Sequence, residues 1–186
     1  MIVGVLALQG DYCLHTKLLF DNKVETILIT KPCQLKSISA LIIPGGESTV
    51  ILKLLLKNNF LKSLKEFSTV KSIFGTCAGA IIMSNSTSNQ METLDCIDVF
   101  SCRNYWGRQI NSFSEKIKLN FNNTYFNAHF IRAPKFKCLS DTLEILSYYN
   151  DTPVLISNGK HLIASFHPEM TEDFQIHEYF LGMINV

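Results

Sequence analysis

The chain has 186 residues, 47% of them hydrophobic, which supplies enough apolar surface for one domain with a sizeable core. Lys plus Arg number 17 against 16 for Asp plus Glu, with no long block of like charge, so neither a nucleic-acid footprint nor a polybasic membrane patch is present. Six cysteines (Cys13, Cys33, Cys77, Cys96, Cys102, Cys138) include no Cys-x-x-Cys pair, which argues against a zinc site or a compact disulfide framework and for reduced, mainly packing thiols.

In chain order, the first apolar run covers residues 2–8. It is too short to cross a bilayer and has neither a charged lead-in nor a small-residue cleavage site, so a cytoplasmic protein is expected. Runs at 24–29, Ala40–Ile43 and 72–74 have the length of buried strands. Between them lie helical stretches, Tyr12–Asp21 and 49–67, the second carrying Leu52, Leu55, Leu56, Leu61 and Leu64 at helical spacing. This alternation predicts an α/β fold with a central, mainly parallel sheet. From residue 97 the pattern changes to short extended segments at 97–102, 115–121, 125–131, 142–149, 154–157 and 161–166, expected to extend the sheet and add an antiparallel portion. A last helix over about 173–184 draws its apolar surface from Phe174, His177, Tyr179, Phe180 and Met183. No repeat or linker interrupts the chain, so residues 1–186 are expected to form a single domain.

Gly75-Thr76-Cys77-Ala78-Gly79 sits between a strand-like run and a helix-like one. In that context a Gly-x-nucleophile-x-Gly sequence forms a sharp elbow, its glycines removing side chains where the backbone doubles back. Cys77 then stands at a helix N-terminus, which favours the thiolate, and the Ala78 N–H is a candidate oxyanion donor. An inert packing cysteine is the alternative.

A thiol that attacks an amide needs a base and an acid, and histidine serves as both near neutral pH. Of five histidines, His167 follows a strand-like run in Phe166-His167-Pro168-Glu169. Glu169, two residues on, would share its side of an extended segment and orient the ring. His15, His129, His161 and His177 have no carboxylate two residues away; His129, near Arg132, is the strongest rival, and His177 reads as structural. Upstream, Pro44-Gly45-Gly46-Glu47-Ser48-Thr49 is a second strand-to-helix glycine turn. It offers the Gly46 N–H as a partner for Ala78 in an oxyanion hole, or a tight turn capped by Ser48 or Thr49.

These three motifs resemble those of class I, triad-type glutamine amidotransferases. Leu8-Gln9-Gly10-Asp11, Arg103-Asn104 with Gly107-Arg108-Gln109 and Ser112-Phe113, and Phe130-Ile131-Arg132-Ala133-Pro134 further resemble the glutaminase subunits of pyridoxal 5'-phosphate synthases. The resemblance implies a flavodoxin-like three-layer sandwich with Cys77, His167 and Glu169 as triad. It places L-glutamine against Gly46, Glu47, Ser48, Arg103, Ile131 and Arg132, and such a zwitterion does need an anionic and a cationic partner. It also implies ammonia transfer to a (β/α)8-barrel synthase in a hetero-oligomer, with no metal and no cofactor in the glutaminase itself. Two departures fall on the partner details: Cys102 precedes Arg103 where the family often has glutamate, and Cys13-Leu14 replaces a charged pair. Another amidotransferase acceptor, a non-catalytic assembly subunit and a cysteine peptidase are the competing functions.

Overall fold

The computed structural model describes residues 1–85, 92–103 and 112–184. Its centre is a seven-stranded sheet in the order β2-β1-β3-β4-β11-β10-β9. Strands β1 (Val3–Leu6), β2 (Thr26–Ile29), β3 (Ala40–Ile43), β4 (Ser72–Thr76) and β11 (Leu162–Ala164) run parallel. Toward one edge β10 (Thr152–Ser157) pairs antiparallel with both β11 and the edge strand β9 (Glu144–Tyr149), giving the expected mixed sheet.

Side chains alternate across a strand, so each strand feeds two cores. Leu41, Ile43, Ile73 and Ile163 face α2 (Ser48–Lys57), α3 (Phe60–Val70) and α4 (Ala78–Met83), meeting Ile51, Leu55, Phe60, Leu64 and Ile82. Ala40, Ile42, Phe74, Leu162 and Ala164 form the other core with Leu19 of α1 (Tyr12–Asp21) and Ile176 and Phe180 of α5 (Gln175–Met183). Phe74, Phe166 and Phe180 are fully buried, each contributing about 1.5–3 kcal/mol from apolar transfer. Helices thus cover both faces in three layers, the arrangement expected.

Local chemistry accounts for the differences from expectation. The single helix over 49–67 is two helices, because Asn59 adopts φ 56, a left-handed conformation that asparagine tolerates, and the Asn58 amide closes the end of α2 by donating to the Leu54 carbonyl. The segments at 97–102, 115–121 and 125–131 do not extend the main sheet. β5 (Val99–Cys102) pairs with β8 (Lys135–Cys138), which the sequence did not announce, and β6 (Phe113–Lys118) pairs with β7 (Tyr125–Phe130). Ser114, Glu115 and Lys116 of β6 are exposed, which a strand covered by helices on both faces would not allow. Among the described residues no helix is long and apolar enough to cross a membrane.

Candidate active site

The parallel strands β3, β4 and β11 end on the same side, and the loops that follow them carry Gly46, Cys77 and His167. Cys77, between β4 and α4, has φ 46 and ψ −100, a region that non-glycine residues rarely occupy. Two backbone bonds hold it there: its N–H donates to the Ala164 carbonyl at 2.8 Å, and its carbonyl accepts from Ile81 N–H in α4. Gly79 makes the elbow possible, since a Cβ there would run into the Ile43 carbonyl of β3.

β11, the strand that pins the elbow, also leads to His167. The His167 N–H donates to the His129 carbonyl at 2.9 Å. Its Nδ1 lies 2.7 Å from Glu169 Oε1, leaving Nε2 as the ring nitrogen open to the cavity that Cys77 and His167 both line. The carboxylate does not reach Nδ1 along an extended segment as expected. Pro168–Met170 is one turn of 3-10 helix, which folds Glu169 back beneath the ring. His167 and Glu169 are both about 4% exposed. Burial alone would lower the His167 pKa, but hydrogen bonds to Cys77 and Glu169 and their charges outweigh it, and the imidazolium is strongly favoured. Burial would raise Glu169, yet His15, His167 and its own backbone N–H pull it well below the usual carboxylate range. His167 is thus set to hold a proton on the cavity wall that it shares with Cys77.

A cavity of about 570 Å³ opens over Cys77, lined by Asp11, Gly46, Glu47, Ser48, Ala78, Ile81, Arg103, Ser112, Ile131, Arg132 and His167. Every residue expected to hold substrate or oxyanion therefore borders one space, and Glu169 stands behind His167 rather than on the wall. The Gly45 carbonyl accepts from Asp11 N–H at 3.1 Å, so the Gly46 N–H, trans across the same planar peptide, faces away from Asp11. Gln9 Oε1 accepts from the Glu47 N–H at 2.9 Å and fixes the next peptide. Neither Ser48 nor Thr49 caps α2. Glu47 is the N-cap residue, and the Thr49 hydroxyl donates to its carboxylate. Arg132 is exposed at φ 47 beside the Ile131 carbonyl, which accepts from the Cys77 thiol at 3.6 Å.

The rival His129 is accounted for, its ring bound to the Ser114 hydroxyl at 2.6 Å. His161 accepts the Ile73 N–H on Nδ1 and is held down to about 4 by burial, a packing role. Asn104, Gly107, Arg108 and Gln109 lie outside the described residues. Asp11, His167 and Glu169 bring potential metal-ligand atoms within 4.8 Å of one another, but Nδ1, the ring atom on that side, is committed to Glu169. Asp11 on the cavity wall and His15 against Glu169 were missed as site residues. Their contacts cross between segments far apart in the chain, and no local spacing signals them.

The model of the SNO glutamine amidotransferase family matches residues 5–186. The chain belongs to that family. It is 42% identical over 188 residues to the pyridoxal 5'-phosphate synthase subunit PdxT of Thermosipho africanus, covering 99% of both chains. It is 43% identical over 181 residues to the protein of that name from Francisella philomiragia, covering 97% of this chain and 98% of that one. Among solved structures it superposes on a glutamine amidotransferase with TM-score 0.93 at 38% identity, covering all of both chains. The family's fold, a mostly parallel sheet with antiparallel strands at one edge, is the one described above.

Proposed function

We propose that this chain is the glutaminase subunit of a pyridoxal 5'-phosphate synthase, hydrolysing L-glutamine to L-glutamate and ammonia. The observation that carries this reading is Cys77, on a strained elbow in a cavity that it lines together with His167, whose ring Glu169 holds at 2.7 Å. Near-full-length similarity to PdxT subunits supports the acceptor.

The Cys77 thiolate attacks the side-chain amide carbon, and the resulting oxyanion is met by the N–H groups of Gly46 and Ala78. One such donor is worth about 3 kcal/mol of transition-state stabilisation. His167 gives its proton to the departing nitrogen, the C–N bond breaks, and ammonia leaves behind a thioester. His167 then takes a proton from water, hydroxide adds to the thioester, and glutamate departs as the thiolate re-forms. Arg103 and Arg132 meet the substrate carboxylate while Glu47 and the loop around it meet the ammonium. Ammonia passes to a synthase subunit built as a (β/α)8 barrel, joined to this chain in a cytoplasmic hetero-oligomer. Residues 1–186 act as one domain.

The test is ammonia release from glutamine by the chain with and without the synthase, beside Cys77→Ala. Wild type should be slow alone and faster with the synthase. Ammonia release by Cys77→Ala would sink the assignment, and capture of a different synthase from cells would move the acceptor.

A further inference from the structure

The triad uses one oxygen of the Glu169 carboxylate. Oε1 faces His167 Nδ1. Oε2 is buried with no aligned hydrogen-bond donor among the described residues, and His15 Nε2 stands 3.3 Å from it. Neither side chain has any exposed surface. On its other side His15 Nδ1 lies 3.0 Å from His177 Nε2, and His177, fully buried on α5, leaves its own Nδ1 without a partner. A continuous buried file therefore runs from His177 through His15, Glu169 and His167 to Cys77.

The direction of the hydrogen bonds follows from the far end. A buried N–H without an acceptor is rarer and costlier than a bare acceptor, so the single proton of a neutral His177 belongs on Nε2, pointing at His15. His15 Nδ1 then accepts, and its proton sits on Nε2, aimed between Glu169 Oε2 and the Thr76 hydroxyl at 3.2 Å. The opposite assignment would set a lone pair against a buried anionic oxygen. Both rings stay neutral because burial dominates. It takes His177 down to about 3 and lowers His15, for which Glu169 and Asp11 pull upward and His167 downward. The remaining neighbours are apolar: Phe74 meets both rings edge-on, and Phe174 stacks on His177. A neutral His15 acts on Glu169 through its N–H dipole, a weaker pull than a full positive charge.

We propose that His15, oriented by His177, is a positioning residue for the triad: it holds Glu169 Oε2, so that Oε1 stays on His167 Nδ1 and His167 Nε2 stays on Cys77 in both half-reactions. This rests on the glutaminase reading. With Oε2 unheld the carboxylate can rotate about its last bond, and the imidazole loses its fixed orientation.

The test compares His15→Leu, which removes both ring nitrogens, with His15→Gln, whose amide N–H reaches about as far as Nε2. Ammonia release from glutamine is measured in the complex with the synthase, and alkylation of Cys77 by a glutamine-like diazo-ketone in the chain alone. His15→Leu should lower kcat about ten- to a hundredfold with KM within about threefold, and slow alkylation in parallel. His15→Gln should recover most of both. In wild-type chain, nitrogen NMR of the histidines at pH 6 should find His15 and His177 neutral with the proton on Nε2. This measurement decides the matter if neither variant folds. Wild-type kcat in a folded His15→Leu, equal loss in folded His15→Leu and His15→Gln, or an Nδ1–H tautomer on either ring would each overturn the proposal. Ammonia release by Cys77→Ala would instead overturn the glutaminase reading, and the two failures are separable.

Discussion

Burying neutral histidines has a consequence for stability that can be worked through. His161 is held down to about 4 and His177 to about 3, each mainly by burial, against about 6.5 in an unfolded chain. Their folded pKa values are depressed, so the unfolded state takes up protons first as pH falls below about 6.5 and stability drops until the folded values are reached. At pH 5 unfolding binds nearly two protons through this pair, a slope of roughly 2.5 kcal/mol per pH unit, and the loss accumulated from pH 8 is about 4 kcal/mol. His15, also lowered, adds to it. His167 is raised, so the folded state alone holds its proton at pH 8, and as the unfolded chain protonates below that the opposing gain of about 2 kcal/mol offsets half of the pair's loss by pH 5; at pH 5 His167 is protonated in both states and leaves the slope unchanged. Glu169 is depressed and adds a further loss only below about 4.5. The assay is urea unfolding followed by circular dichroism at pH 8, 7, 6 and 5. His161→Asn, whose side-chain oxygen can accept the Ile73 N–H that Nδ1 accepts, should flatten the slope by about one proton, or 1.4 kcal/mol per unit. A wild-type slope below one proton between pH 6 and 5, or an unchanged slope in His161→Asn, would refute the reasoning.

Three substitutions test the site from other directions. Glu169→Gln keeps the shape but loses the charge that holds the His167 imidazolium, and should cost about 10³–10⁴ in kcat with KM little changed; a loss under tenfold in steady-state ammonia release would remove Glu169 from the triad. Gly79→Ala drives a methyl group into the Ile43 carbonyl, so α4 must lift from β3; urea unfolding should show a loss of about 1–3 kcal/mol, with slower alkylation of Cys77. Arg132→Met should raise KM for glutamine about tenfold or more while kcat moves much less, and an unchanged KM would take Arg132 out of the carboxylate pocket.

What could be read from the sequence divides along the range of the forces involved. Tyr12–Asp21 and Ala40–Ile43 fold as expected because their own apolar pattern and bounding turn residues decide them. The elbow at Cys77 was legible in part for the same reason: Gly75 answers a demand made within five residues, by the Gly79 and Ala80 backbone, while the demand on Gly79 comes from the Ile43 carbonyl of β3. The break at Asn59 rests on asparagine's tolerance of positive φ, a weak local signal beside leucines that keep helical spacing on either side of it. Pairing was harder. Lys135–Cys138 is four residues with two lysines, and only its antiparallel register with Val99–Cys102 makes it a strand.

The proposed triad exposes the limit most clearly. Glu169 was identified through a local rule about extended segments that the 3-10 turn does not obey; the pairing survives because a tight turn also brings a side chain two residues on within reach. His15 was set aside by that same rule, having no carboxylate two residues away, yet it stands 3.3 Å from the carboxylate that matters. What puts it there is the docking of α1 against the 168–170 turn and of α5 behind α1, which brings His177 within 3.0 Å. Those contacts are made by whole helices packed on a sheet, so a residue's neighbours across that packing are fixed by the tertiary structure alone. Motif spacing therefore yields the candidate triad, and the groups packed against it emerge only when the chain is folded.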